Sequence, residues 1–129
     1  MTWLWRNVGS PSAGDVIADL KGRSTSGDRR GFSLYGFFIS HDATATKRYR
    51  IETYNEGSDE TRGFITVALP PEKPYIKVES DEPLIIGIGQ WTRGYYEHLR
   101  VVAIDGGEPN VCIGLKVKGK WHMEIEMFG

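Results

Sequence analysis

The chain has 129 residues, enough for one domain whose core needs no disulfide or metal to hold it. Lys+Arg 16 against Asp+Glu 17 leaves a formal net charge of −1, so no long-range field gathers polyanions, and nucleic acid is disfavoured as a partner. The one cysteine, Cys112, excludes an internal disulfide. MTWLWRNVG lacks the apolar core of a signal peptide and no window reaches a transmembrane length; the expectation is a cytoplasmic protein or a virion component without a membrane partner.

Thr2 to Arg6 reads as a short strand with Trp3 and Trp5 on one face, a large aromatic surface for so few residues. Gly9 to Gly14 is a loop by composition, and Asp15 to Leu20 a strand. Lys21 to Gly31 (KGRSTSGDRRG) is polar and glycine-rich, and is expected to be a disordered loop. Phe32 to Ser40 (FSLYGFFIS) is an aromatic strand in which Gly36 suggests a bulge or a close backbone approach. His41-Asp42-Ala43 turns the chain, with His41 expected to bond Asp42. Thr46 to Asn55 then places Tyr49, Ile51 and Thr53 on one face, and Glu56 to Glu60 makes a hairpin loop.

Arg62 to Leu69 aligns Ile65, Val67 and Leu69 with the two-residue period of a half-buried strand, and Pro70-Pro71 stops it. Tyr75 to Glu79 alternates again, and Ser80 to Pro83 is a turn. Leu84 to Ile88 is almost wholly apolar, the pattern of a central strand covered on both faces. Leu99 to Ile104 is a strand, followed by the turn Asp105 to Asn110. Val111 to Val117 sends Val111, Ile113, Leu115 and Val117 inward, Lys118-Gly119-Lys120 is expected to make a tight hairpin, and Trp121 to Met127 alternates once more. These elements predict one all-β domain over 1–129, an antiparallel β-sandwich or jelly roll of about nine or ten short strands, with a closed β-barrel as the alternative.

The densest group of aromatic and polar side chains is Gln90, Trp91, Thr92, Arg93, Tyr95, Tyr96, Glu97 and His98, with Gly89 and Gly94 freeing the backbone. Rings with polar edges suit a sugar face, a planar ligand or a protein hot spot, so this segment is the expected ligand-binding loop for a carbohydrate or protein partner. The plainer reading is that the rings plug the end of the sandwich. A second candidate is an interface built from Trp3, Trp5, Tyr35 and Phe37. In Phe32 to Ile39 both alternating sets are apolar, Phe32, Leu34, Gly36 and Phe38 against Ser33, Tyr35, Phe37 and Ile39. Whichever faces the core, the other needs cover, and a homo-oligomer supplies it.

Other chemistry is weakly represented. His41, His98 and His122 have no HxH, HExxH or CxxC context, so no metal site and no cofactor is expected. Cys112 with His98 or His122 lacks a nucleophile elbow, and Glu124 with Glu126 is the ordinary i, i+2 pair of a solvated strand; no catalytic residue is assigned. Lys47-Arg48-Tyr49-Arg50 mixes base and ring as an oligonucleotide-binding face does, but Glu52 follows at once.

FISHD at Phe38 to Asp42, Glu52-Thr53-Tyr54, Leu69-Pro70-Pro71 and Ser80 to Ile86 together resemble the sensory-rhodopsin transducer family, a small tetrameric β-sandwich. The resemblance covers at most a third of the chain, has a shorter spacing after Asp42, and implies a sandwich without adding a function. The functional expectation is a non-enzymatic binding or structural module that self-associates through an aromatic sheet surface. A lectin-like domain using the 90–98 loop is the first alternative, and a small β-fold enzyme the second.

Overall fold

The structure is a computed structural model that describes residues 2–24, 32–55, 60–86, 98–107, 110–119 and 123–128. The described residues form nine strands: β1 (Thr2–Gly9), β2 (Val16–Ser24), β3 (Phe32–His41), β4 (Lys47–Asn55), β5 (Glu60–Leu69), β6 (Tyr75–Glu79), β7 (His98–Ala103), β8 (Asn110–Gly119) and β9 (Met123–Phe128). They make two antiparallel sheets, β1-β8-β3-β6 and β5-β4-β7-β2-β9.

The pairing is nested: β1 lies against β8, β2 against β7, β3 against β6 and β4 against β5. One long antiparallel ribbon, with its tip between β4 and β5, is thus wrapped so that its successive segments fall in alternate sheets. That is the path of a jelly roll. Neighbouring turns of the wrap meet where β3 pairs with β8 and β4 with β7, and β9 adds outside β2. Each sheet keeps two edge strands, so the sandwich is open and is not a closed barrel.

Alternation fills the interior from both sides. β8 contributes Val111, Ile113, Leu115 and Val117, β7 contributes Leu99, Val101 and Ala103, and β4 contributes Tyr49 and Ile51, all buried. Ile65, Val67, Ile76 and Val78 pack against this cluster as half-buried side chains.

β3 resolves the problem of its two apolar faces by changing phase. The register with β8 slips between Leu34 and Gly36, so Phe32 and Leu34 point inward before the slip and Phe37 and Ile39 after it. Four large side chains enter one core. The outside is left with Ser33, Tyr35, Gly36, Phe38 and Ser40, and the apolar surplus inferred from strict alternation largely disappears. Glycine is required at the slip because a Cβ on Gly36 would lie 2.6 Å from the Val78 carbonyl oxygen.

Three further expectations are corrected. Lys21 to Ser24 does not belong to a loop: it continues β2, with Lys21 opposite both His98 and Glu126 and Gly22 to Ser24 paired with β9 alone, because a backbone ladder does not depend on apolar side chains. Residues 25–31 lie outside the described residues. Leu84 to Ile86 is not a strand. Leu84 N–H donates to the Leu34 carbonyl at 2.7 Å, Leu84 is half-buried and Ile86 is buried in the core, while Ile85 between them is 64% exposed. β8 and β9 stand in different sheets, so Lys118 to Lys120 does not join a hairpin.

Candidate functional site

The outer face of the β1-β8-β3-β6 sheet is a grid whose rows are fixed by register. Leu4 and Val8 turn toward the core, so Trp3, Trp5 and Asn7 face out. The first row runs Trp3, Lys116, Gly36, Glu79; the second Trp5, Gly114, Phe38, Lys77; the third Asn7, Cys112, Ser40, Tyr75.

The two glycines make room for the indoles to lie down on the sheet. A Cβ built on Gly114 would be 2.5 Å from Trp5 Cζ3 and 2.8 and 2.9 Å from Cε3 and Cη2, the two neighbouring ring atoms. Near-equal distances to both neighbours place that point along the ring normal, so the six-membered ring rests face down on Gly114. Trp3 stacks with Trp5 and reaches past Lys116, its Cη2 3.4 Å from the Cβ position of Gly36. The two indole planes differ by 18° at 5.3 Å between centroids, and Phe38 stands edge-on to Trp5 at 5.7 Å. Trp5 is 56% exposed although Trp3 stacks against it.

Charge borders this aromatic floor. The Lys77 ammonium lies 6.0 Å from the Trp3 ring centre, within cation–π range. Glu79 is shared by Lys77 at 3.4 Å and by Lys116 at 3.6 Å. Lys73 lies 5.8 Å from the Tyr75 ring centre.

The outer face of the other sheet is ionic. One row reads Phe64, Glu52, Arg100, Asp19. Glu52 is 1% exposed and is flanked by Arg100 at 2.5 Å and Arg50 at 3.0 Å; the Arg50 contact is a charge pair rather than an aimed hydrogen bond. Asp19 pairs with His98, and Arg50 covers the Phe64 ring at 5.5 Å. Both oxygens of Glu52 lie within ion-pair distance of a guanidinium group, Oε1 as a hydrogen-bond acceptor and Oε2 by charge alone. The sequence reading missed this row, although Arg50 and Glu52 alternating outward from Tyr49 and Ile51 carried the signal.

The end of the sandwich holding the β3–β4 and β7–β8 loops is tied by Arg48, whose Nε and Nη2 donate to Asp105 at 2.9 Å, and by Asn110, which donates to both Asp42 oxygens. These donors hold the Asp105 and Asp42 carboxyls below the usual carboxylate range. His41 is buried and does not bond Asp42. Its Nε2 donates to the Leu69 carbonyl at 2.8 Å and its Nδ1 accepts the Ala43 N–H at 3.0 Å, the pattern of a neutral ring. Behind it the Tyr49 phenol is wholly buried, its hydroxyl without a hydrogen-bond partner among the described residues, and burial first and then the charges of Asp105 and Asp42 push its pKa up to about 12.

Of the expected binding loop, Gln90, Trp91, Thr92, Arg93, Tyr95, Tyr96 and Glu97 lie outside the described residues; His98 is buried beside Asp19 in β7. Of the expected interface residues, Trp3 and Trp5 face outward, Tyr35 is half-buried at the bulge, and Phe37 is a core residue at 4% exposure. Phe38 takes the outer place instead. No group of His, Cys, Asp or Glu among the described residues is arranged to hold a metal ion, and no helix there is long and apolar enough to cross a membrane.

Comparison with protein-family models, with curated proteins and with solved structures returned no match. The local resemblance to the sensory-rhodopsin transducers therefore gains no support, and the functional reading rests on the geometry.

Proposed function

We propose that the chain is a non-enzymatic binding module whose contact surface is the outer face of the β1-β8-β3-β6 sheet. The observation that carries this reading is the Trp5 ring laid on Gly114, stacked with Trp3 and still 56% exposed. An exposed indole seated on a rigid sheet loses little conformational freedom on binding, which is what makes aromatic anchors effective. Arg6 argues for use of the face and not of the strand edge. It alternates with Leu4 and Val8 on the inward side of edge strand β1, and an inward-pointing charge there opposes edge-to-edge strand addition.

Self-association through the same face is the second reading, favoured by the second exposed ring, Tyr75, at 49% exposure. Sedimentation at tens of micromolar, with Trp5→Ala and Phe64→Ala compared, tests both. Phe64 is the exposed ring of the opposite sheet. An oligomer dissolved by Trp5→Ala and unaffected by Phe64→Ala supports the second copy as partner, and a monomer supports a ligand on the face. An oligomer lost only in Phe64→Ala moves the contact surface to the other sheet and overturns the proposal.

A further inference from the structure

We propose that this face takes single-stranded nucleic acid, with bases stacked on its rings and phosphates on its lysines. The inference rests on reading the face as a contact surface and names its occupant.

The total charge of −1 hides an uneven distribution. The described residues that point outward from these four strands include Lys77, Lys116 and Lys118 against one carboxylate, Glu79, which two of those lysines already share. Lys73 adds a fourth ammonium beside Tyr75. Many of the acids that balance the total lie in turns, among them Asp15, Asp42, Glu72, Asp81, Glu82 and Asp105.

Rings and ammonium groups share the face. The first row holds Trp3 and Lys116 with Glu79 at its far end, the second Trp5, Phe38 and Lys77, and the third Tyr75 with Lys73 beside it. Trp3 and Trp5 stack as one pair, and with Phe38 and Tyr75 the face mixes flat rings with a surplus of positive charge. That mixture matches a polymer that carries planar rings and negative charges together. A single strand has that composition, its bases stack on flat side chains without regard to sequence, and its backbone follows a groove or face of positive charge. A neutral glycan would use the rings and gain nothing from the surplus of positive charge. A duplex hides its base faces and cannot stack on the indoles.

The test is a titration of tryptophan emission with an oligothymidylate of about twelve nucleotides, with inorganic polyphosphate and a neutral oligosaccharide as comparison probes. Saturable quenching is expected, with a log–log salt slope of about −2 to −3 for three or four displaced counterions. Trp5→Ala should weaken binding roughly tenfold, Trp5→Phe should retain most of it, and Lys77→Ala should make the salt slope shallower by about one. Binding of polyphosphate as tightly as the oligonucleotide, unchanged by Trp5→Ala, would show charge attraction alone and overturn the inference. A neutral oligosaccharide that binds through Trp5 where the oligonucleotide does not would overturn it too, while leaving the face as the contact surface. With no response to any probe the nucleic-acid reading fails, and the sedimentation of the Trp5 and Phe64 variants then judges the face on its own.

Discussion

Trp5 occupies the space that a side chain at Gly114 would need, with a Cβ there only 2.5 Å from the indole Cζ3. The two residues are direct partners across β1 and β8, so neither strand can slide to relieve the overlap. Gly114→Ala should lift the ring from the sheet, at a cost of about 1–3 kcal/mol, the range for overpacking. Urea unfolding gives the stability change, and a shift in tryptophan emission reports the displaced ring. An alanine that stabilises the protein without moving the emission would mean that the ring does not rest there.

The phase change in β3 makes neighbouring phenylalanines unequal. Phe37→Ala should cost about 3–5 kcal/mol, as expected for a buried ring, and Phe38→Ala much less, since Phe38 packs only against the outer face of the sheet. Equal losses in the two variants would place the bulge elsewhere.

Tyr49 sets an alkaline limit on stability. Its phenol is neutral in the fold up to about pH 12, against about 10 in the unfolded chain, so the folded state holds the proton more tightly. The resulting stability is fully present below pH 10 and is lost as pH rises toward 12, by roughly 2–3 kcal/mol. In Tyr49→Phe that alkaline loss should shrink. The same variant removes a buried hydroxyl that has no partner among the described residues, so at neutral pH it should be neutral or mildly stabilising. Denaturant midpoints measured across this pH range check both effects.

At the acid end the sign reverses. The Asp105 carboxyl is depressed in the fold by its hydrogen bonds from Arg48, so its contribution is present above the unfolded carboxylate pKa and lost as pH falls through the lower folded value. Asp105→Asn should remove that part of the acid limb. The change should be modest in salt, since Arg48 is well exposed and surface pairs are screened. An acid midpoint unmoved at low salt would mean that the pair contributes nothing.

The two-residue alternation identified which side chains enter the core in β4, β5, β6 and β8, because one face of each strand is apolar and the other is not. The same logic failed in β3. There both faces are apolar; Gly36 signalled a bulge, and the register with β8 shows that it shifts the phase and sends Phe37 inward. Leu84 to Ile86 looked like a central strand, but only Leu84 and Ile86 turn to the core and Ile85 is exposed, and such burial needs no ladder. The pairing of β9 with β2 was invisible for another reason: a short link between two alternating strands permits a hairpin and also a step to the other sheet, and Lys118 and Gly119 belong to β8 itself. Trp3 and Trp5 could be placed on one face from their spacing. That Trp5 lies flat depends on Gly114, its cross-strand partner from the far end of the chain.

The contact-surface proposal is tested most directly by acrylamide quenching of tryptophan emission, comparing the wild-type chain with Trp5→Phe across a dilution series. The difference between the two isolates Trp5 from the other indoles. An open ring in the dilute protein is expected to give a strongly quenched Trp5 component, and association through the face would shield that component as concentration rises. A Trp5 component shielded at every dilution would mean that the chain itself closes the face, and would contradict the proposal.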